Sequence, residues 1–366
     1  MSRYSHNLRP KARLLRTLGE ELISSDIVAV IELVKNSYDA DATRVVISLN
    51  RIFDPQFGSI DIVDNGNGIS AESMRTVYLE PATASKRRGN RTSPKFGRRY
   101  LGEKGIGRFA SARLSHELEI TSRVLDQPNE SICQFNWDQF DDESRFLDEV
   151  EVHFHQAKAS AFAGNGFATT ILTSADRGQT NTCHGTWLRM TRIRRAWSEK
   201  TIHELSIALS RLAMPENSPN GFKIFLEIPD RPDLTKEIET PDILTRPHYS
   251  ILAEVQADGS CSGRVDLHAF GNSLDFKGRL CRTGGSVTLM RDADKPTSLQ
   301  SVGCGALILE LRAWDRNDLG NIAETIESTL KQVREDLDSY AGISIYRDGF
   351  RVLPYGESND DWARLD

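Results

Sequence analysis

Cysteines and long apolar runs are scarce in this sequence. Its five cysteines are widely spaced and form no C-x-x-C pair, which argues against a disulfide framework or a zinc knuckle and is typical of a reducing compartment. The longest apolar stretch, residues 27–34, is interrupted by Glu32, and the polar N-terminal residues 1–13 have no apolar core. We therefore expect a cytoplasmic protein with neither a membrane span nor a signal peptide.

A large excess of charge of one sign is also absent. Lysine and arginine together number 46, and aspartate and glutamate 52, which gives a formal net charge of −6. A general attraction to nucleic acid or to an anionic membrane is not expected, and only a local basic patch could provide one. The 39% of hydrophobic residues excludes a wholly disordered chain, and the length of 366 residues favours two domains.

Hydrophobic periodicity predicts an α+β fold. A helical pattern covers about residues 26–38, and a long polar segment at about 80–104 is typical of a functional lid. Strands are predicted at residues 45–49, 59–64, 117–123, 167–173, 186–192 and 222–228. This pattern predicts a two-layer α/β sandwich over residues 1–230.

A cluster of four prolines between residues 229 and 247 predicts the boundary of a second, smaller α/β domain at residues 248–366. Its clearest signal is an apolar stripe from Ile322 to Leu337, which predicts one helix. A predicted strand at 306–311 precedes this helix, and a predicted strand pair at 343–346 and 350–353 follows it.

Three polar segments of the first domain are candidates for chemistry. The first is the predicted helix 26–38, where Glu32, Asn36 and Asp39 fall on one narrow stripe. A solvent-exposed face is the commonest use of such a stripe. Alternatively, a carboxylate could act as a general base and the Asn36 amide oxygen could ligate a hard cation such as Mg²⁺.

The second segment is Asp64-Asn65-Gly66-Asn67-Gly68-Ile69, at the end of a predicted strand. Asp64 shares a strand face with Ile60 and Ile62, so its carboxylate points toward the apolar side and needs a partner. It could accept a hydrogen bond from an exocyclic amine while the glycines let the backbone approach a flat ring, as an adenine pocket requires. An ordinary Asp-Asn-Gly turn is the alternative, and for this segment alone it is the better one.

The third segment, Gly102-Glu103-Lys104-Gly105-Ile106-Gly107, leads into a predicted helix. Closely approaching backbone N–H groups and a positive helix end suit a phosphate. The spacing matches neither a dinucleotide fingerprint nor a Walker A loop, so this segment alone is weak evidence.

In their order along the chain, these segments resemble the nucleotide-binding motifs of the GHKL ATPase superfamily, which includes gyrase B, the ninety-kilodalton heat-shock chaperone, bacterial sensor kinases and MutL. The resemblance covers about residues 12–228 and rests on Glu32-x-x-x-Asn36, Asp64-x-Gly66-x-Gly68, Gly102-x-x-Gly105-x-Gly107 and Gly185-Thr186. The stretch from Asn36 to Ala40 is most similar to the chaperone, MutL and MORC branches. The resemblance implies a Bergerat-type sandwich followed by a transducer-like domain.

The resemblance also implies roles for single residues. Glu32 would activate the attacking water, Asn36 would ligate Mg²⁺, and Asp64 would receive the adenine amine with Thr186 beside it. The other residues implied at the ATP site are Asp39, Gly66, Gly68 and Ile69, with Gly102, Gly105, Ile106 and Gly107 lining the triphosphate. Lys86, in a segment similar to the A-T-S-K lid of MutL, would reach a phosphate.

By the same resemblance, the expected function is Mg²⁺-dependent ATP binding and slow hydrolysis that drive lid closure and homodimerisation. Slow turnover is expected because the chain ends at Asp366, before the position where the chaperone supplies an arginine to the terminal phosphate. The candidate substitutes for that arginine are Lys277, Arg279 and Arg282. A sensor kinase is disfavoured, since only 31 residues precede Glu32.

Two alternative functions remain open: a DNA- or RNA-engaging clamp of the MORC or MutL kind, and a non-hydrolysing nucleotide sensor. The clamp is suggested by the basic residues in and beside the lid, which are Lys86, Arg87, Arg88, Arg91, Lys95, Arg98, Arg99, Lys104 and Arg108. A solvated run of charge is the usual explanation of such a stretch, and phosphate screening or nucleic-acid contact are the sharper ones.

Overall fold

The computed structural model describes residues 9–15, 17, 23–80, 92–102, 107–175, 183–212, 221–283, 286–290, 305–347 and 350–351. Contacts divide the chain into two compact units, Met1–Glu239 with Ser344–Tyr355 and Thr240–Ile343 with Gly356–Asp366. None of the helices within the described ranges has both the length and the apolar character needed to cross a bilayer.

An eight-stranded sheet organises the first unit. Its strands are β1 (Arg44–Asn50), β2 (Ser59–Asp64), β3 (Ser115–Arg123), β4 (Asn129–Asn136), β5 (His153–Lys158), β6 (Gly185–Ile193), β7 (Lys223–Glu227) and β8 (Lys236–Glu237). They lie in the order β5-β4-β3-β6-β2-β1-β7-β8, and all pairs are antiparallel except β1 with β7. The central pair, β2 with β6, places Asp64 opposite Thr186.

Helices cover both faces of this sheet. They are α1 (Asp26–Asp39), α2 (Ala71–Ser73, continued by a π-helical turn at Met74–Tyr78), α3 (Ala110–Leu114, preceded by a 3-10 turn at Gly107–Phe109), α4 (Phe167–Ala175) and α5 (Glu199–Ser210). Helices α1, α3 and α5 share the main core with Ile47 and Ile62, whereas α4 packs with Val46 and Val63 on the opposite face. The large, mainly antiparallel sheet packed with helices confirms the predicted α+β fold.

Helix α1 begins at a capping serine. The Ser25 hydroxyl accepts a hydrogen bond from the N–H of Val28 at 3.2 Å, and Asp26 places a negative charge in the first turn. The helix buries an apolar side and leaves Glu32 and Asn36 partly exposed. It ends at Asp39, and Asp41 follows with a left-handed φ of 59°, which redirects the chain toward β1.

The strand predicted at residues 167–173 is wrong, because helix α4 forms there. The threonines and isoleucine of this segment favour a strand, but Ala168, Ile171 and Leu172 recur at helical spacing and are buried in one cluster. The hydroxyls of Thr170 and Thr173 donate to carbonyls one turn earlier, at 3.0 and 2.9 Å, so they are satisfied within the helix.

The second unit contains a five-stranded antiparallel sheet and two helices. Its elements are β9 (Tyr249–Val255), β10 (Ser260–Leu267), β11 (Asn272–Thr283), β12 (Ser286–Met290), β13 (Leu307–Ala313), α6 (Gly320–Thr325) and α7 (Leu330–Tyr340). The strand order is β12-β11-β10-β9-β13. The prediction of one continuous helix is wrong: Glu327 takes a φ of 52°, and Thr329 caps α7 by accepting from the N–H of Gln332 at 3.1 Å.

A short strand pair, β14 (Tyr346–Arg347) with β15 (Phe350–Arg351), groups with the first unit. The Tyr346 hydroxyl donates to the Arg211 carbonyl at 3.1 Å. The first change of unit along the chain falls between Glu239 and Thr240. The assignment of the second unit as a transducer-like domain stays a prediction.

Candidate functional site

Asp64 provides a buried carboxylate at the end of β2. The residue is 5% exposed, and burial raises its pKa. Its Oδ2 accepts a hydrogen bond from the Ser37 hydroxyl at 2.8 Å, and its Oδ1 accepts from the backbone N–H groups of Gly66 at 2.9 Å and Thr186 at 3.3 Å. The carboxylate thereby joins α1, β2 and β6 at one point.

The glycine turn after Asp64 fits closely between its neighbours. Gly68 has a φ of +71°, and a Cβ on it would lie 2.1 Å from the carbonyl oxygen of Arg123. The Gly66 carbonyl lies 2.7 Å from Nδ1 of His184, which must be the protonated nitrogen because a carbonyl can only accept. The turn is therefore anchored to β3 on one side and to the residue before β6 on the other.

Ser122 on β3 links this turn to β6, and sequence reasoning missed it. Its hydroxyl oxygen accepts from the N–H of Ile69 at 2.8 Å and lies 2.9 Å from the Thr186 hydroxyl and 3.0 Å from the Gly185 carbonyl oxygen. Ser122 stands opposite Thr186 in the β3–β6 register. No local motif marks this serine, and only the pairing of β3 with β6 could have found it.

Glu32 and Asn36 lie one helical turn apart on α1. Glu32 Oε1 accepts from the Lys35 ammonium at 2.8 Å. A Cβ built on Gly107 would lie 3.2 Å from Glu32 Oε2, so the start of the 3-10 turn lies beside this carboxylate. The Asn36 side chain forms no hydrogen bond with another residue of the described ranges.

Asp39 holds the backbone where the third segment begins. Its two carboxylate oxygens accept from the backbone N–H groups of Leu101 at 2.8 Å and Gly102 at 3.1 Å. The sequence prediction placed Asp39 among the nucleotide-binding residues. These contacts tie Gly102 to the end of α1, and a direct contact of Asp39 with the nucleotide stays a prediction.

Asp41 and Arg98 fasten residues 93–98, which precede the third segment, to the turn after α1. Asp41 accepts from the N–H groups of Lys95 at 2.9 Å and Phe96 at 3.3 Å and from the Ser93 hydroxyl. Arg98 is 4% exposed and donates to the carbonyl oxygens of Tyr38 at 3.1 Å and Ala42 at 2.7 Å. The prediction that Arg98 belongs to a basic surface for phosphate or nucleic acid is therefore wrong.

Helix α1 brings the three segments together. Ser37 contacts Asp64 of the second segment, and Glu32 lies beside Gly107 of the third. Three predicted site residues, Lys86, Gly105 and Ile106, lie outside the described residues.

The match to a known family agrees with this arrangement. Residues 23–162 match the family described as histidine kinase-, DNA gyrase B-, and HSP90-like ATPase. The matched range includes Glu32, Asn36, Asp64 and Gly107. Residues 23–162 are thus similar to the ATPase domain of the GHKL superfamily, whose members bind ATP.

About a third of the chain is also similar to MutL. The DNA mismatch repair protein MutL of Deinococcus radiodurans is 32% identical over 122 residues, which are 33% of this chain and 21% of that protein. MutL of Crocosphaera subtropica is 42% identical over 55 residues, or 15% of this chain and 9% of that protein. A protein named as a type II restriction enzyme, HgiDII of Herpetosiphon aurantiacus, is 32% identical over 122 residues, or 33% of this chain and 19% of that protein. The matched part thus spans about a fifth of the full length of the Deinococcus MutL and of HgiDII.

Proposed function

We propose that this protein is an ATP-operated conformational switch. ATP binds with Mg²⁺ where α1, the glycine turn and the start of α3 meet, and slow hydrolysis accompanies lid closure and the association of two protomers. The observation that carries this proposal is the position of α1, from which Ser37 reaches Asp64 while Glu32 stands beside Gly107.

Asp64 is the proposed acceptor of the adenine amine. Its two oxygens offer about four lone-pair sites, so the carboxylate keeps acceptor capacity beyond its three hydrogen bonds. Guanine presents a carbonyl oxygen where adenine presents the amine, so a carboxylate there favours ATP over GTP. Gly66, Gly68, Ile69 and Thr186 would surround the base.

Asn36 and the glycine segment are proposed to hold the phosphates. The Asn36 amide oxygen, which forms no hydrogen bond with the residues that the structure describes, is the kind of ligand that a hard cation prefers. Bound Mg²⁺ would neutralise charge on the transferred phosphoryl group. Among the residues that the structure describes, no group of three or more His, Cys, Asp or Glu side chains could hold a metal ion, so the site fits an ion that keeps water and phosphate as most of its ligands. The residues proposed to line the triphosphate are Gly102, Gly105, Ile106 and Gly107, with Lys86 reaching a phosphate.

Glu32 is the proposed general base. Its carboxylate is partly exposed and lies beside Gly107, where a water next to the terminal phosphate could give up a proton. Asp39 supports this arrangement indirectly, because it fixes the backbone of Leu101 and of Gly102, where the triphosphate segment begins.

Calorimetric titration with ATP and GTP tests the adenine assignment. The wild-type protein is expected to prefer ATP, and Asp64→Asn is expected to lose binding because it replaces an acceptor by an amide. Asp61→Asn is a matched control, since Asp61 is also a buried carboxylate of β2 but bonds to Trp187 and Asn50. Normal ATP binding by Asp64→Asn would refute the assignment.

Mass determination with a non-hydrolysable ATP analogue tests the switch itself. A doubling of mass is expected with the analogue and not without it. A mass that stays unchanged although the analogue binds would refute dimerisation. Glu32→Ala is expected to bind ATP and to retain it unhydrolysed.

A DNA-engaging clamp is the second candidate, because the similar proteins are named for DNA mismatch repair and type II restriction. Arg87, Arg88 and Arg99 would then contact the phosphate backbone. Binding of duplex DNA that weakens with salt and is lost when these three arginines are neutralised would support the clamp. Equal binding by that triple variant would refute it.

A further inference from the structure

Lys35 forms an ion pair with the proposed general base. Its ammonium nitrogen lies 2.8 Å from Glu32 Oε1, three residues earlier on α1. The side chain of Lys35 is 14% exposed and that of Glu32 is 31% exposed. The pair therefore lies largely outside bulk water, where a charge interaction is screened less than at the surface.

The second oxygen of Glu32 faces a different neighbour. A Cβ on Gly107 would lie 3.2 Å from Oε2, so the backbone at the start of the 3-10 turn borders this side of the carboxylate. One oxygen thus carries the ammonium and the other faces the glycine segment. A general base must accept a proton on a carboxylate oxygen, and the Lys35 ammonium already engages one of the two oxygens of Glu32. The ion pair therefore holds the carboxylate in one orientation and competes with a water for Oε1.

An exposed salt bridge on another helix of this protein differs from the Lys35–Glu32 pair in both distance and exposure. Lys200 and Glu204 on α5 are 3.7 Å apart, and their side chains are 84% and 48% exposed. Pairs of that kind contribute little energy. The shorter distance and lower exposure of the Lys35–Glu32 pair distinguish it from this surface pair.

We propose that Lys35 is a positioning residue that restrains ATP hydrolysis by holding Glu32 in this ion pair. This inference rests on the proposed function, in which Glu32 activates water. It adds a source of slow turnover that lies within α1 itself.

Steady-state hydrolysis by Lys35→Met tests the restraint. Methionine keeps a long unbranched side chain but removes the charge, and we expect kcat to rise about fivefold, the rate equivalent of about 1 kcal/mol, while KM changes less than about twofold. Lys35→Arg keeps a cation beside Glu32 and is expected to retain most of the restraint. Lys200→Met is the matched control, since it removes a lysine from an exposed helical ion pair. Lys35→Gln replaces Lys35→Met if the methionine variant does not fold.

The same substitution in a Glu32→Gln background shows whether Lys35 acts through Glu32. Without a carboxylate to hold, Lys35→Met is expected to leave the residual rate unchanged. An equal rise in both backgrounds would overturn the proposal, as would a fall or no change in kcat in the wild-type background, or an equal rise in Lys35→Arg.

Calorimetric ATP binding by each variant separates this inference from the proposed function. If the wild-type protein does not bind ATP, or if Glu32→Gln hydrolyses it at the wild-type rate, the proposed function fails and the role of Lys35 fails with it. If ATP binds, Glu32→Gln is inactive and Lys35→Met is no faster than wild type, only the role of Lys35 is refuted.

Discussion

The Ser37 hydroxyl donates a hydrogen bond to Asp64 Oδ2 at 2.8 Å and so joins α1 to the end of β2. The two residues are 2% and 5% exposed. Because α1 also carries Glu32, this contact helps to set the distance between the proposed adenine acceptor and the proposed general base. A small change at Ser37 should therefore be felt in both stability and nucleotide binding.

Ser37→Ala is expected to destabilise the protein. It removes the hydroxyl donor from a buried carboxylate oxygen, and we expect the free energy of unfolding to fall by about 1–3 kcal/mol in denaturant titration. Ser48→Ala is the control, since Ser48 is also 2% exposed but its hydroxyl bond to Asn50 is 3.5 Å long. Equal losses in the two variants would contradict a special role for the Ser37–Asp64 bond.

Asp64 should make stability depend on pH. Burial raises the pKa of Asp64 above its ordinary value of 3.8, so the folded state binds this proton more tightly than the unfolded state does. The resulting stabilisation is fully present below pH 3.8 and is lost as the pH rises through the raised pKa. Unfolding measured at a series of pH values should show wild type losing stability relative to Asp64→Asn as the pH rises from about 4 through the raised pKa. A difference in stability between wild type and Asp64→Asn that does not change with pH would contradict the raised pKa of Asp64.

Asp41 should show the opposite dependence. Burial opposes its ionisation, but hydrogen bonds from Ser93, Lys95, Asn67 and Phe96 outweigh burial and lower the pKa of Asp41. Its contribution is present above its ordinary value of 3.8 and is lost as the pH falls through the lowered pKa. Asp41→Asn is therefore expected to be less stable than wild type at neutral pH, and the gap should narrow below about pH 4. A difference in stability between wild type and Asp41→Asn that widens in acid would contradict the lowered pKa of Asp41.

Local pattern explains which parts of the site could be predicted from the sequence. Strand β2 has the predicted bounds, 59–64, because its apolar residues alternate and a glycine turn ends it. The Glu32 and Asn36 stripe was visible because both residues lie on one helix. Ser122 was not predictable, since its role depends on the register between β3 and β6.

Tertiary contacts explain why the sequence predictions for helix α4 and for Arg98 were wrong. The threonine-rich segment of α4 favours a strand locally, yet packing of Leu172 against β1 and β2 requires a helix. Arg98 looks like one more cation in a basic run, and only the carbonyl oxygens of Tyr38 and Ala42 reveal that it is structural. Charge patterns do not distinguish a buried arginine from an exposed one.

Arg98 variants should lose stability. The guanidinium donates to two carbonyl oxygens and lies 4.3 Å from the centre of the Tyr38 ring, a combination that an ammonium cannot reproduce. We expect Arg98→Ala to lower the free energy of unfolding by about 3 kcal/mol and Arg98→Lys to recover only part of it. Arg99→Ala is the control, because Arg99 has no ion pair or side-chain hydrogen bond with the described residues. An Arg98→Ala variant as stable as Arg99→Ala would contradict a structural role.

Gly68→Ala should be much more harmful than Gly164→Ala. Both glycines have a left-handed φ, +71° and +54°, so both substitutions carry a backbone cost of about 1 kcal/mol. A Cβ on Gly68 would also lie 2.1 Å from the Arg123 carbonyl oxygen, whereas nothing lies within 4 Å of one on Gly164. Denaturant unfolding should therefore give an extra loss of about 2 kcal/mol or more for Gly68→Ala, because the turn must move away from β3. The same movement displaces Ile69, so ATP affinity should fall in this variant and stay unchanged in Gly164→Ala. Equal unfolding midpoints would mean that the turn does not pack against β3 as described.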